Sequence, residues 1–342
     1  MRAMLLRSVG PLREEAPPLE LATLPDPAAG EGELLLRVGC CGVCHTELDE
    51  IEGRTPPPRL PMVLGHQVVG RVEALGARAR GFAVGDRVGV AWIYSADGTC
   101  EYCRRGLENL CVQFRATGRD ANGGYAERMV VPAAFAHAIP ERFADPEAAP
   151  LLCAGAVGFR ALRLAQLSDG QSLGLMGFGA SAHLVLQLVR HQFPKTKAFV
   201  FARSESERRF AHELGAAWAG DPNDPAPEAL AAIIDTTPVW TPIARSLRNL
   251  APGGRLVINA IRKEDADKQA LVGIDYARDL WMEREIKSVA NVTREDVREF
   301  LRIAAEIPLR PEIQEYPLEQ ANQALLELKA RKIRGAKVLR LI

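Results

Sequence analysis

The chain has 342 residues, 47% hydrophobic and 25% charged, more than one hydrophobic core usually fills (about 250–300 residues), so two domains are expected. Its 43 basic residues balance 43 acidic ones without a long basic run, which argues against nucleic acid as the main partner. No apolar stretch reads as a membrane span and residues 1–8 lack the apolar core of a signal peptide, so the expected location is the cytoplasm, with no membrane partner.

In chain order, the first half reads as β-rich. Residues 33–39 and 68–75 carry strand-forming side chains, and a turn between Gly81 and Gly85 precedes a third strand at 86–92. Short strands broken by Gly and Pro suggest a barrel-like domain. From about residue 150 the pattern changes. A helix is expected at 150–166, an apolar strand at 172–176 and a helix at 182–191. A strand follows at 198–202, then a helix at 205–214 closed by Gly215, then strands at 232–235 and 255–259 with a helix between them that ends near Pro252. This alternation is the signature of a doubly wound parallel sheet, so the fold class is α/β with a separate β-rich domain. The end returns to mixed structure, with an amphipathic helix at 318–331 and a strand at 336–341.

Five of the seven cysteines fall into two groups with metal-site spacing. Cys100, Cys103 and Cys111 read C-x2-C-x7-C, the way structural zinc is held. Cys44, His66 and Cys153 come from distant segments, and three ligands including one His suit a catalytic zinc that keeps a position open. Further on, Gly177-Phe-Gly179-Ala180-Ser181-Ala182 follows a predicted strand and opens a predicted helix, the context of a phosphate-binding turn. Backbone N–H groups of Gly179, Ala180 and Ser181 would face a pyrophosphate there. Metal plus dinucleotide points to hydride transfer at an alcohol carbon.

In their order, Gly-Val-Cys44-His-Thr, Gly65-His66, the cysteine lobe, Leu-Leu-Cys153-Ala-Gly, the Gly-rich turn and Ile333-Arg-Gly-Ala-Lys-Val-Leu resemble the zinc-containing medium-chain alcohol dehydrogenases over nearly the whole chain. The resemblance implies a GroES-like catalytic domain at 1–152, to which 292–342 return, and a Rossmann domain at 153–291. It implies interconversion of alcohols with aldehydes or ketones by hydride transfer with a nicotinamide cofactor. A reading from another class is a non-catalytic relative that binds nucleotide and zinc for a structural or sensing role.

Cys44, His66 and Cys153 match that family's catalytic zinc ligands. Thr46 matches the hydroxyl that contacts the substrate oxygen, and it also reads as a helix cap. Glu47 matches the carboxylate that fixes the His tautomer. His45 matches a position facing the cofactor pyrophosphate, often with positive charge, and Asp49 stands where many members have a relay His. Gln67 replaces the usual Glu beside the metal. Asp97 stands for the first of four lobe cysteines, which implies a structural Cys3Asp zinc site with Cys100, Cys103 and Cys111. Trp92 reads equally as a substrate-pocket wall and as core. Ala202 removes the acid that selects NAD, so Arg203 and Ser204 favour NADP(H) over NAD(H), while their bland reading is a surface charge and an N-cap. Arg334 resembles a late basic residue near the pyrophosphate. The partners implied are a small alcohol or aldehyde and further copies of the chain, as a homodimer or homotetramer. The pairing edge would come from 255–287, with apolar Leu271, Val272, Ile274 and Trp281.

Overall fold

The computed structural model describes residues 1–341 and divides into two units, each with its own core. One comprises Met1–Ala156, Val292–Glu306 and the chain from Arg310 onward; the other comprises Val157–Asn291 with Ile307–Leu309.

In the first unit the strand Glu33–Val43 is the spine, because Leu34, Leu36, Val38, Cys40 and Cys41 are almost wholly buried along it. It pairs antiparallel with Gln67–Leu75, Arg128–Pro132 and Ala336–Arg340, so the end of the chain closes a sheet begun near its start. Lys337 anchors that closing strand. Its buried ammonium donates to Gln314 Oε1 at 2.9 Å, Tyr316 Oη at 2.6 Å and Glu327 Oε2 at 2.7 Å, which uses all three of its protons. Two glycines permit close approaches. A Cβ at Gly42 would lie 2.8 Å from Gln67 Cδ, its ladder partner. One at Gly65, where φ is +96°, would lie 2.4 Å from the Tyr125 ring. From this spine the chain enters helix α1 (His45–Ile51).

The second unit is a parallel six-stranded sheet. Its strands are β1 (Ser172–Met176), β2 (Lys197–Phe201), β3 (Trp218–Gly220), β4 (Leu230–Asp235), β5 (Leu250–Ile258) and β6 (Glu285–Ser288), and the spatial order is β3-β2-β1-β4-β5-β6. Helices α2 (Ala180–Gln192) and α3 (Glu205–Glu213) make the crossovers after β1 and β2. Continuous burial of Leu173, Leu175 and Met176 in β1 and of Ile233 and Ile234 in β4 is what a central parallel strand requires.

Three expectations change. The helix read at 150–166 is interrupted: a 3-10 turn, Ala149–Leu152, gives way to Ala154–Ala165, and Cys153 between them is non-helical at φ −132°, ψ −74°. β5 begins at Leu250 instead of 255, because Pro252-Gly253-Gly254 is taken up inside the strand at a register shift. Finally, Asp145–Ala165 is long and apolar enough by composition to cross a membrane, contrary to the sequence reading, but 72% of its apolar window is buried within the protein. Its apolar character belongs to the core.

Candidate metal and cofactor sites

The first site is built by the start of α1. Cys44 is the N-cap, extended at φ −141°, ψ −177°, and its Sγ accepts from Thr46 N at 3.4 Å. In return the Cys44 backbone N–H donates to Glu47 Oε2 at 2.8 Å, closing a capping box that fixes the Glu47 side chain. The other Glu47 oxygen, Oε1, lies 2.6 Å from His66 Nδ1, and both side chains are fully buried. With Nδ1 held by a carboxylate, Nε2 is the ring nitrogen left for a ligand, and it lies 3.5 Å from Cys44 Sγ and 3.3 Å from Cys153 Sγ. The non-helical break at Cys153 is the local device that brings in the third group. All three ligand atoms lie within 4.8 Å of one another.

Burial opposes charge on His66, yet Glu47 and Cys44 outweigh it and hold the imidazole well above the usual histidine range. The Cys44 thiol is pushed well up by its hydrogen bond with Cys153, then by burial. A dication among these donors would reverse both preferences, since its ligands must be deprotonated. The donor set, two sulfurs and an imidazole oriented from behind by a carboxylate, fits zinc.

The neighbours divide. Thr46 is nearly buried beside Cys44. Asp49, on the same helix, is engaged by Arg54 Nε at 2.5 Å, an ion pair that ties helix to loop. His45 is solvent-exposed at the start of α1. Gln67 is buried opposite Gly42. Glu50 was missed from sequence. One turn beyond Glu47, it is fully buried, with neither carboxyl oxygen hydrogen-bonded, and burial followed by Glu47 pushes it well above the usual carboxylate range. Its only sequence signal is the i, i+3 spacing to Glu47.

The second cluster is compact. Ligand atoms of Asp97, Cys100, Cys103 and Cys111 also lie within 4.8 Å of one another. Asp97 Oδ1 accepts from Thr99 N at 2.7 Å and Cys100 N at 2.8 Å, and these bonds, Cys100 first, hold its carboxyl far below the usual range. Cys100 caps the helical turn Glu101–Arg104, where its Sγ accepts from Cys103 N at 3.5 Å. An ionised Asp with three thiols suits a closed zinc site. Trp92 is 7% exposed and its ring centroid lies 5.0 Å from that of Phe114.

In the second unit, β1 is followed by Gly177 (φ +83°), where a Cβ would meet Thr236 Oγ1 at 2.9 Å. Gly179 is the N-cap of α2 with no side-chain cap, and the space where its Cβ would stand is open within 4 Å. A helix start without a side-chain cap, beside that open space, fits a pyrophosphate. After β2, Ala202 is buried and Arg203 is exposed. Ser204 caps α3: its hydroxyl donates to Glu207 Oε2 at 2.8 Å and its Oγ accepts from Glu207 N at 3.2 Å. The same helix sends Arg208 Nη1 back to the carbonyls of Ala202 and Arg203 at 2.8 and 2.9 Å. Arg334 lies in the first unit, its Nε 3.0 Å from Glu312 Oε1.

The family profile "Alcohol dehydrogenase GroES-like domain" matches residues 30–141. A protein of Mycobacterium tuberculosis named "Probable alcohol dehydrogenase AdhA" is 44% identical, over 99% of this chain and 97% of its own length. An alcohol dehydrogenase of Geobacillus stearothermophilus is 32% identical, over 94% and 96%. Among solved structures, one described as an NAD-dependent alcohol dehydrogenase superposes with a TM-score of 0.87 at 25% identity, covering 100% of both chains. Sequence, fold and the converging thiols and imidazole agree: the chain belongs to the zinc-containing medium-chain alcohol dehydrogenase family, enzymes that interconvert alcohols with aldehydes or ketones.

Proposed function

We propose that the protein is a zinc-dependent, NADP(H)-favouring alcohol dehydrogenase, in which Cys44, His66 and Cys153 hold the catalytic zinc. The observation that carries this reading is the pairing of Glu47 with His66 Nδ1 at 2.6 Å, which turns Nε2 toward both thiols. Zinc bound there polarises an alcohol or carbonyl oxygen and lowers the pKa of the alcohol. The nicotinamide cofactor supplies or accepts the hydride. The chain's own work is to orient and to move a proton. Glu47 holds the imidazole in one tautomer, and Cys44 fixes Thr46 through its N–H, so that the Thr46 hydroxyl takes the proton that leaves the alcohol. Because Asp49 is engaged by Arg54, the onward path runs through water in preference to Asp49.

In the second unit the N–H groups of Gly179, Ala180 and Ser181 hold the pyrophosphate, with Gly177 permitting the tight turn. The preference for NADP(H) rests on buried Ala202 where an acid would repel a 2′-phosphate, and on exposed Arg203 beside it. The Ser204 hydroxyl, committed to Glu207, contributes less to that preference. Asp97, Cys100, Cys103 and Cys111 hold a structural zinc. The test is NADPH oxidation over an aldehyde panel, before and after zinc is stripped by a chelator. Turnover should vanish on stripping and return with zinc alone; turnover that persists in metal-free protein contradicts the reading.

A further inference from the structure

The turn that leads into α2 has little of its own to hold it. Gly177 and Gly179 flank Phe178, and neither has a Cβ to restrict its backbone. Gly179 is also the N-cap of α2, where it offers no side-chain oxygen to the helix start. What holds it comes from one turn further on. The His183 backbone N–H donates to Gly179 O at 3.2 Å, and His183 Nδ1 lies 3.2 Å from the same oxygen. A carbonyl oxygen only accepts, so Nδ1 carries the hydrogen of that second bond. His183 is fully buried, with its ring centroid 6.0 Å from that of Phe210 on α3. The Phe210 ring also lies 5.5 Å from that of Phe178 in the turn, so one side chain of α3 backs both the turn and the histidine.

A trans peptide unit is planar, and its C=O and N–H point in opposite directions. The Gly179 carbonyl and the Ala180 N–H belong to one such unit. With the carbonyl drawn down the helix by two bonds, the Ala180 N–H is aimed the other way, out of the helix start and beside the open space at Gly179. We propose that His183 is a positioning residue for the cofactor pyrophosphate: its Nδ1–H locks the Gly179–Ala180 peptide with the N–H toward the phosphates. Buried as it is, the ring acts through the backbone and not by touching the cofactor. The proposal rests on the reading of this turn as the pyrophosphate site.

The test is calorimetric binding of two ligands to the full-length wild type, His183→Leu and His183→Asn. The ligands are ADP-ribose, which carries the pyrophosphate, and adenosine, which carries none. Each is used in whichever form, with or without a 2′-phosphate, the wild type binds more tightly. Leu is close to the ring in bulk but has no donor, whereas Asn keeps an N–H near the place of Nδ1. His183→Leu should bind ADP-ribose about three- to tenfold more weakly, the effect of one neutral hydrogen bond, with adenosine binding unchanged and His183→Asn close to wild type. Equal loss for both ligands, or an Asn variant as weak as the Leu one, would make His183 packing for α2 only. Undiminished ADP-ribose binding in His183→Leu would also overturn the proposal. Should neither variant fold, nitrogen NMR of histidine-labelled wild type decides: Nδ1 must be protonated, and a ring protonated at Nε2 alone would contradict the lock. If wild type binds no ADP-ribose, the pyrophosphate reading itself fails and the proposal falls with it.

Discussion

Arg203 and Ser204 are adjacent after β2, and the structure separates what the sequence left together. Ser204 is closed into a capping box with Glu207, while the Arg203 side chain is exposed and its backbone carbonyl accepts from Arg208 Nη1. Glu207 places a carboxylate near the same spot, so Arg203 has to outweigh it for a 2′-phosphate to be welcome. Arg203→Ala should weaken binding of 2′,5′-ADP by about ten- to a hundredfold, the equivalent of about 1.5–3 kcal/mol for a charge-assisted bond, and leave 5′-AMP unchanged. Calorimetry with the two nucleotides checks this, and equal loss for both would make Arg203 a general adenosine contact. Residue types and spacing pick out the lobe thiols, but the set Cys44, His66 and Cys153 rests on the family resemblance, because Cys153 by itself reads as an inert core cysteine. They did not reveal that Asp49 is engaged by Arg54 or that Glu50 is buried bare, since both depend on where α1 packs, and sequence spacing does not report packing.

At the scale of elements, the lobe from Asp97 to Cys111 has little regular structure: one helical turn, Glu101–Arg104, and one 3-10 turn, Glu108–Leu110. Such a segment gains its order from what its side chains bind. Asp97→Ala removes one proposed ligand and also the acceptor for two backbone N–H groups. The variant should lose one zinc per chain and unfold at a lower temperature, with Asp97→Cys restoring both. Wild-type protein with a single zinc would contradict the Cys3Asp site. The parallel strands β1, β2 and β4 were legible in sequence as short apolar runs between turn signals. β6 was not, because all four of its residues are exposed and it carries no alternation. Nor was the start of β5, where Pro252 and two glycines imitate a terminator.

For the whole molecule, the parallel sheet ends at β6, whose outer edge has no strand partner among the described residues. Close by in sequence, Val272 is 75% exposed, Tyr276 65% and Trp281 56%, an apolar set that a monomer would leave in water. We propose that two copies pair there, and light scattering should give two or four times the 37.3 kDa of one chain. A mass near one chain at micromolar concentration would contradict the pairing.

On the proposed function, Cys44, His66 and Cys153 bind the zinc on which turnover depends. The most direct test is the zinc content of wild type and of Cys153→Ser, measured together with turnover. Two zinc ions per chain should fall to one, turnover should fall to background, and the cofactor unit should still bind ADP-ribose. A Cys153→Ser protein that keeps both zinc ions and near wild-type turnover would show that Cys153 is not a ligand of that zinc.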